Sequence, residues 1–170
     1  YLFTGVIAGN YTLSEVLQSG WVQTFPANGT YAINVTSGQD ITGKDFGNFD
    51  DNTISGTKFN DLNNNGIRDG NEPGLAGWTI TLTNSTGSNT TAVTNVNGTY
   101  TFTGVGADNY TLSEVLQSGW TQTFPSNGTY SVNVTSGQDV TGKDFGNFAD
   151  NTITGSKFND LNNNGIRDGN

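Results

Sequence analysis

The chain has 170 residues and combines a low charged fraction, 12%, with 24 glycines and 24 asparagines. This composition favours strands and turns over helices. The formal net charge of -9 repels phosphate backbones and anionic lipids, so we expect no nucleic-acid partner. The chain has no His and no Cys, which excludes disulfides, thiolate or imidazole zinc sites and Ser-His-Asp catalysis.

An internal repeat sets the organisation of the chain. Residues 1–71 recur at 100–170 with 60 of 71 positions identical, and the offset is 99 residues. Polar clusters follow the pentapeptide Asp-Phe-Gly-Asn-Phe in both copies, and domain boundaries prefer such clusters. We therefore predict one complete unit at 50–149, preceded by the back part of a unit at 1–49 and followed by the front part of another at 150–170.

A twelve-residue acidic loop lies near the start of the complete unit. It matches the calcium-loop pattern D-x-[DN]-x-[DN]-G-x5-E at every specified position, with Gly66 at the sharp turn. The alternative is a polar hairpin loop, for which Asn, Asp and Gly are also common. The predicted calcium ligands are Asp61, Asn63, Asn65, the carbonyl of Ile67, Asp69 and Glu72. A truncated second site offers Asp160, Asn162, Asn164, Ile166 and Asp168.

Period-two alternation of apolar and polar residues recurs through the rest of the unit. It is clearest at 78–83, 110–113 and 130–135, and Asn-Gly turn signals stand at 97–98 and 127–128. No stretch shows helical spacing. The sequence predicts an all-β fold, with about seven strands per unit arranged as an immunoglobulin-like sandwich.

Three polar residues share strand parity with apolar neighbours. Lys58 is expected to point to the same face of its strand as Ile54. Glu114 is expected to share a face with Leu112, and Asn147 with Phe145. Unpaired burial of a Lys or a Glu is costly, so the three polar side chains are expected to meet in the core. A desolvated Lys is a neutral amine and a protonated Glu is a proton donor, so the cluster has the groups for a Lys-Asn isopeptide bond. The simpler alternatives are a buried salt bridge capped by an amide, or edge positions that face water.

The segment from Gly56 to Trp78, with Asn-Gly-Thr-Tyr-Thr-Phe and Asn-Tyr-Thr-Leu-Ser-Glu further on, resembles the B-like domain of serine-aspartate-repeat surface proteins. That family is related to the B-type repeats of collagen adhesins. The resemblance implies a seven-stranded, prealbumin-like sandwich that serves as a surface stalk, with calcium in the loop 61–72. It also implies that Lys58, Glu114 and Asn147 match the lysine, glutamate and asparagine that form the crosslink in the collagen-adhesin domains.

Nine N-x-[ST] sequons are present, a modest excess over chance, and glycosylation would require a host with the machinery. The alternative is that Asn and Thr are the common polar residues of exposed strands and turns. The candidate asparagines are Asn10, Asn28, Asn34, Asn84, Asn89, Asn97, Asn109, Asn127 and Asn133.

The three tryptophans raise the question of a sugar-stacking platform. Trp78 alternates with Ile80 and is expected in the core, whereas Trp21 and Trp120 are expected to cover the sandwich end.

The sequence favours a non-enzymatic, extracellular structural repeat that uses calcium to stiffen a stalk, filament or sheath. Its expected partners are neighbouring repeats and other copies of the chain. The apolar runs are far shorter than the roughly 18 residues that cross a bilayer, and the first residues carry no signal-peptide pattern, so no membrane insertion is expected in this segment. The alternative is an adhesin module that recognises glycans or a protein partner through its loops.

Overall fold

The computed structural model describes residues 1–167, and every regular element in that range is a β-strand. Period-two apolar patterns and Gly-rich turns account for this content. The twelve strands are β1 Gly9–Ser14, β2 Trp21–Phe25, β3 Thr30–Val35, β4 Gly47–Asp50, β5 Asn52–Asn60, β6 Thr79–Thr83, β7 Asn89–Val93, β8 Thr99–Val105, β9 Asp108–Glu114, β10 Trp120–Phe124, β11 Thr129–Val134 and β12 Phe145–Ala149.

Residues 52–149 contain two four-stranded sheets. One has the order β10-β12-β5-β8 and the other has the order β11-β9-β6-β7. The predicted all-β sandwich is confirmed, although the unit has eight strands where about seven were expected. Strand β7, at the edge of its sheet, is almost entirely exposed. Its sequence therefore has no alternating apolar pattern from which a strand could be predicted.

The core lies inside this unit. It is built from the residues that alternate inward along the strands, and Trp78 is buried at its margin as predicted. The principal core residues are Ile54, Ile80, Leu82, Tyr100, Phe102, Val105, Leu112, Val132, Val134 and Phe145.

The first and last segments of the chain are smaller. Residues 1–50 form two two-stranded sheets, β1-β3 and β2-β4, and none of these residues is buried. Among the described residues 150–167 there are turns and bends but no strand. The division of the chain into units at 50 and 149 stays a prediction.

The first and second segments are joined with almost no linker. Only Asp51 separates β4 from β5. The Asp50 N–H donates to Ser136 Oγ at 2.9 Å, and the Gly137 N–H donates to the Asp50 carbonyl at 3.3 Å. The Asp51 N–H donates to the Gly20 carbonyl. The joint is therefore hydrogen-bonded to the segments on both of its sides.

Candidate functional site

The candidate site begins with Lys58, which lies in a central strand of the core and is fully buried. Its N–H donates to the Gly98 carbonyl at 2.7 Å, and its own carbonyl accepts from the Leu75 N–H at 2.8 Å. Gly98 has φ +77°, and a Cβ there would lie 2.2 Å from the Lys58 carbonyl oxygen. A glycine in this turn is what lets the chain approach the lysine backbone so closely.

The ammonium group of Lys58 meets the carboxyl group of Glu114 inside the sandwich. Lys58 Nζ lies 2.5 Å from Glu114 Oε2, and the two side chains are 0% and 1% exposed. Nζ also lies 4.4 Å from the centroid of the Trp78 ring, so the ring covers one side of the amine. Burial lowers the pKa of Lys58 to about 8, although the hydrogen bond and charge of Glu114 oppose this shift.

Asn147 supplies the third buried polar group. It is fully buried in β12, and neither its carboxamide nitrogen nor its oxygen has a hydrogen-bond partner. Strand β12 runs parallel to β5, with Phe145 opposite Lys58 and Asn147 opposite Asn60. A buried amide without a partner is costly to keep, and its carbonyl carbon is an electrophile in the same core that buries an amine and a carboxyl group.

Gly146 allows β12 to lie this close to β5. A Cβ on Gly146 would stand 2.4 Å from Cζ of Phe59, so the Phe59 ring occupies the place that a side chain would need. Neither Gly146 nor Trp78 was among the sequence-based candidates for this site. The sequence did carry a signal for Trp78. Its side chain is expected on the same face as that of Ile80, and Ile80 is the cross-strand partner of Glu114.

The repeat provides an internal comparison. In the first segment, Asn48 Nδ2 donates to Glu15 Oε2 at 3.0 Å, and these two residues are the repeat equivalents of Asn147 and Glu114. The third equivalent, Lys157, is exposed in the last segment. Among the described residues, the full set of Lys, Glu and Asn is thus buried together only in the complete unit.

The loop 61–72 folds around its own oxygen atoms. The Glu72 carboxylate accepts from the Leu62 N–H at 2.8 Å and from the Asp69 N–H at 3.0 Å. Asn63 Nδ2 and Asn65 Nδ2 both donate to Asp69 Oδ2, at 2.8 and 3.0 Å. The side chains at loop positions 3, 5 and 9 therefore lie side by side.

The first loop residue, Asp61, is fully buried. Burial alone would raise its pKa, but the nearby Thr123 side chain and hydrogen bonds from the backbone N–H groups of Asn65 and Gly66 hold the pKa below its usual value. The Gly66 N–H lies 2.7 Å from Asp61 Oδ2. The carboxylate is thus kept ionised, as a metal ligand must be.

The donor set fits a hard cation. It consists of carboxylate and amide oxygens, with the Ile67 carbonyl at the seventh position, and calcium prefers such ligands. Nowhere in residues 1–167 is a group of three or more His, Cys, Asp or Glu side chains placed to hold a metal. A cation in this loop would therefore depend on the oxygens of Asn63, Asn65 and Ile67 as well as on the carboxylates.

The truncated copy of the loop repeats part of this geometry. The Gly165 N–H donates to Asp160 Oδ2 at 2.7 Å, and the Ile166 N–H donates to Asn164 Oδ1 at 2.8 Å. Asn162 Oδ1 accepts from the Asn164 N–H at 3.3 Å. Asp168, the remaining predicted ligand, lies outside the described residues.

The loop lies at the far end of the unit from the joint at Asp51. Strand β5 has nine residues, so Asn60 stands about 26 Å along the strand from Asn52. The Asp61 N–H then donates to the Asn147 carbonyl at 2.8 Å, two residues before the end of β12. The loop therefore stands near the end of β12, at Ala149, which is the predicted boundary to the next unit.

The sequon asparagines fall into three groups. Those in strands bond each other across the sheet, with Asn34 donating to Asn10 at 2.7 Å and Asn133 donating to Asn109 at 2.9 Å. Asn84 and Asn89 accept hydrogen bonds from hydroxyl groups of nearby Thr side chains. The turn residues Asn28, Asn97 and Asn127 are exposed.

Two of the three tryptophans form a small cluster at one end of the unit. Trp120 is half-buried, and its ring meets Trp78 edge-on at a centroid distance of 5.5 Å. Trp21, its repeat equivalent, is 39% exposed. The Trp78–Trp120 contact covers the side of the core on which Lys58 lies.

Comparison with known proteins gives the family. The sequence pattern of the SdrD B-like domain matches residues 52–144, which is more than half of the chain. The chain belongs to the SdrD B-like domain family. SdrD B-like domains are modules of extracellular surface proteins of Gram-positive bacteria, so this chain is a cell-surface module and is not an enzyme.

Curated relatives agree with this family. Serine-aspartate repeat-containing protein D of Staphylococcus aureus (strain Newman) is 30% identical over 93% of the chain. Serine-aspartate repeat-containing protein F of Staphylococcus epidermidis is 28% identical over 82% of the chain. The matched region spans only 13% and 9% of these two relatives, so most of each relative has no counterpart in this chain.

Among solved structures, the Bacillus anthracis TIE protein is similar to this SdrD B-like chain. The TM-score is 0.50 at 19% sequence identity, over 84% of this chain and 25% of that protein. At this identity the likeness supports the fold alone. Within residues 1–167, no helix has the length and apolar character needed to cross a bilayer.

Proposed function

We propose that the chain is a load-bearing repeat of a surface stalk or filament, in which each complete unit is closed by a covalent bond and stiffened by calcium. The observation that carries this proposal is the buried contact of Lys58 with Glu114 in a core that also buries the unpaired amide of Asn147. Tension along a chain of repeats enters the unit at β5 and leaves it at β12. A bond between these two strands would carry that tension directly.

The proposed reaction joins Lys58 to Asn147. The Nζ lone pair of the neutral lysine attacks Cγ of Asn147, so that a Cγ–Nζ bond forms and the Cγ–Nδ2 bond breaks. One proton passes from Nζ through the Glu114 carboxyl group to Nδ2, which leaves as ammonia. The atoms balance without an oxidant or a cofactor. Trp78 and the surrounding core exclude water from the reacting groups.

The bond would close a loop that runs from Lys58 to Asn147. By analogy with disulfide loops of this length, it would stabilise the unit by roughly 4 to 5 kcal/mol. The unit has no cysteine, so it has no other covalent constraint available to its side chains. An amide bond also resists the reducing agents that open disulfides.

Calcium has a structural role in this proposal. Asp61, Asn63, Asn65, Ile67, Asp69 and Glu72 would hold the ion, and its charge would offset the repulsion among the three carboxylates. The loop is flanked by strands and not by helices, so the opening of a helix pair is unavailable as a signal. An affinity of roughly 10⁻⁴ to 10⁻³ M, as in other extracellular modules, would keep the site filled outside the cell.

Intact mass spectrometry tests the covalent bond. The folded wild-type chain should weigh less than its sequence by the mass of one ammonia, because only the complete unit holds all three groups. Glu114→Gln should restore the full mass, since a glutamine cannot shuttle the proton. The matched control is Glu15→Gln in the first segment, which should leave the deficit unchanged. A wild-type chain of full mass would refute the proposal.

An adhesin function is the second candidate. The loop after β9 exposes Val115 and Leu116, each 53% exposed, and the equivalent loop of the first segment exposes Val16 and Leu17. Repeated apolar loop tips of this kind suit contact with a protein or glycan partner. A glycan and matrix-protein array would test this role, and specific binding that is lost in Leu116→Ser would support it.

A further inference from the structure

We propose that calcium in the loop 61–72 controls the rate at which Lys58 and Asn147 become joined, so that the module closes its crosslink only after it reaches a calcium-containing exterior. This inference rests on the proposed function, since it links the two chemical features named there. Its physical basis is that the loop is hydrogen-bonded to the two strands that carry the reacting side chains.

The first connection runs through the backbone of Asn147. The loop begins at Asp61, three residues after Lys58, and the Asp61 N–H donates to the Asn147 carbonyl at 2.8 Å. This bond continues the parallel ladder in which Asn147 stands opposite Asn60. A shift of Asp61 would therefore move the acceptor strand relative to the strand of the lysine.

The second connection returns from the other end of the loop. The Asn60 N–H donates to the Pro73 carbonyl at 2.9 Å, and the Leu75 N–H donates to the Lys58 carbonyl at 2.8 Å. Glu72, the last loop ligand, ties this returning segment to Leu62. The returning end of the loop is thus attached to the backbone of Lys58 itself and of Asn60.

The third connection reaches the strand on the far side of Asn147. Gly66 packs against β10 so closely that a Cβ there would lie 3.2 Å from the Thr123 carbonyl oxygen. In the β10–β12 ladder, Gln122 stands opposite Asn147, and the register shifts between Gln122 and Phe124. The loop therefore supports the strand next to Asn147 at the place where its pairing is irregular.

Because of these connections, the rate of the reaction depends on how well the loop is ordered. Without a cation, three carboxylates within twelve residues repel one another and loosen the loop. A displacement of about 1 Å between reacting groups can reduce a rate by about a hundredfold. Calcium would hold Asp61 and Glu72 together, and so would hold β5 and β12 in the register that places the amine against the amide.

The test follows crosslinking in wild-type chain that has never met calcium. The chain is synthesised in a cell-free system containing EGTA, purified, and divided into samples with calcium or with EGTA. Aliquots are denatured at intervals, and intact mass gives the fraction that has lost one ammonia. We expect crosslinking to be on the order of tenfold to a hundredfold faster with calcium.

Two variants sharpen the test. Glu72→Gln should make crosslinking slow both with and without calcium, because it neutralises the ligand at the twelfth loop position. The matched control, Asp160→Asn in the truncated loop, should behave as wild type. Near-ultraviolet circular dichroism should show that the wild-type chain in EGTA is folded around its tryptophans before the bond forms.

Each of the following outcomes would overturn the inference. Equal rates with and without calcium, while calorimetry shows that calcium binds, would overturn the control by calcium and leave the crosslink standing. Absence of ammonia loss under every condition would overturn the crosslink and this inference together. A chain that stays unfolded in EGTA would also overturn the inference, since calcium would then act on folding and not on the register of the two strands.

Discussion

At the scale of single residues, the molecule buries an amine where the desolvation free energy of a positive charge is high. Lys58 is fully buried, it forms an ion pair with Glu114, and the Trp78 ring covers its head group. Burial of an ion pair is weak evidence for stability, because desolvation offsets the attraction. In the proposed reaction, the role of this burial is to prepare the amine as a nucleophile.

The first prediction concerns pH in a chain that cannot form the bond. In Asn147→Ala, Lys58 remains a free amine with a folded pKa of about 8, against 10.5 for an ordinary lysine. Between these values the unfolded state binds more protons than the folded state, so stability rises with pH. From pH 8 to pH 10 we expect a gain of roughly 1 to 2 kcal/mol in the free energy of unfolding.

Urea denaturation measures this gain. The control is the double variant Lys58→Met with Asn147→Ala, which lacks the titrating amine and should show a smaller rise over the same interval. If the single and double variants changed in parallel, Lys58 would not have a lowered pKa in the folded chain.

Much of this residue-scale picture could be predicted from sequence. Strand parity alone brings Lys58, Glu114 and Asn147 to the apolar face, because side chains alternate across a strand. Sequence could not show that Trp78 lies over the amine, nor that the Asn147 carbonyl accepts from Asp61. Those contacts depend on how separate strands meet in space, and spacing along one strand carries no record of that.

At the scale of elements, the contact between β5 and β12 decides whether the site can form. Gly146 makes room for the Phe59 ring where the two strands run parallel. The pairing is short, with only three pairs of residues in register. A small steric change at this point should therefore separate the strands.

Gly146→Ala is the second prediction. Its Cβ would stand 2.4 Å from Phe59 Cζ, so we expect a loss of about 1 to 3 kcal/mol and slower crosslinking. The matched control is Gly47→Ala, because a Cβ on Gly47 would meet its nearest atoms at 3.3 Å. Urea denaturation of both variants gives the comparison. Equal stability of Gly146→Ala and wild type would show that the β5–β12 contact is looser than described.

The third prediction concerns the loop. A ligand that binds only the folded state stabilises it by mass action, by about 1.4 kcal/mol when free calcium is ten times Kd. Excess EGTA should therefore lower the melting temperature by a few degrees, and Glu72→Gln should remove the response to calcium. Scanning calorimetry is the measurement, and a melting temperature that ignores both calcium and EGTA would contradict the site.

The loop itself could be predicted from the sequence, but its position in the fold could not. The twelve-residue pattern identifies the loop and its ligands without any structure, because the ligands are all local. The pattern does not reveal that the loop contacts Asn147 and Thr123, since those residues are many positions away. Its location near the end of β12 became visible only with the length and direction of β5.

At the scale of the whole molecule, the first segment and the sandwich are joined strand to strand. Only Asp51 lies between β4 and β5, and the loop at Ser136 and Gly137 bonds to Asp50 across the joint. A single residue between strands leaves no flexible linker. The near-identity of the repeats means that each joint in a longer array would have the same construction.

The fourth prediction is that an array of these units is a stiff rod. Small-angle scattering on chains with two, three and four complete units should give a maximum dimension that grows linearly with the number of units. Growth closer to the square root of the number would indicate flexible joints. A matched series with a Gly-Ser insertion after Asp51 should show that weaker growth.

Force spectroscopy on single molecules tests the central claim, that each complete unit is closed by a covalent bond between its first and last strands. With the bond in place, pulling on a tandem array should never release the residues between Lys58 and Asn147. The Glu114→Gln array should instead extend by about 300 Å for each unit that unfolds. If wild-type units gave that same full extension, no covalent bond would join β5 to β12, and the account of a load-bearing crosslink would be wrong.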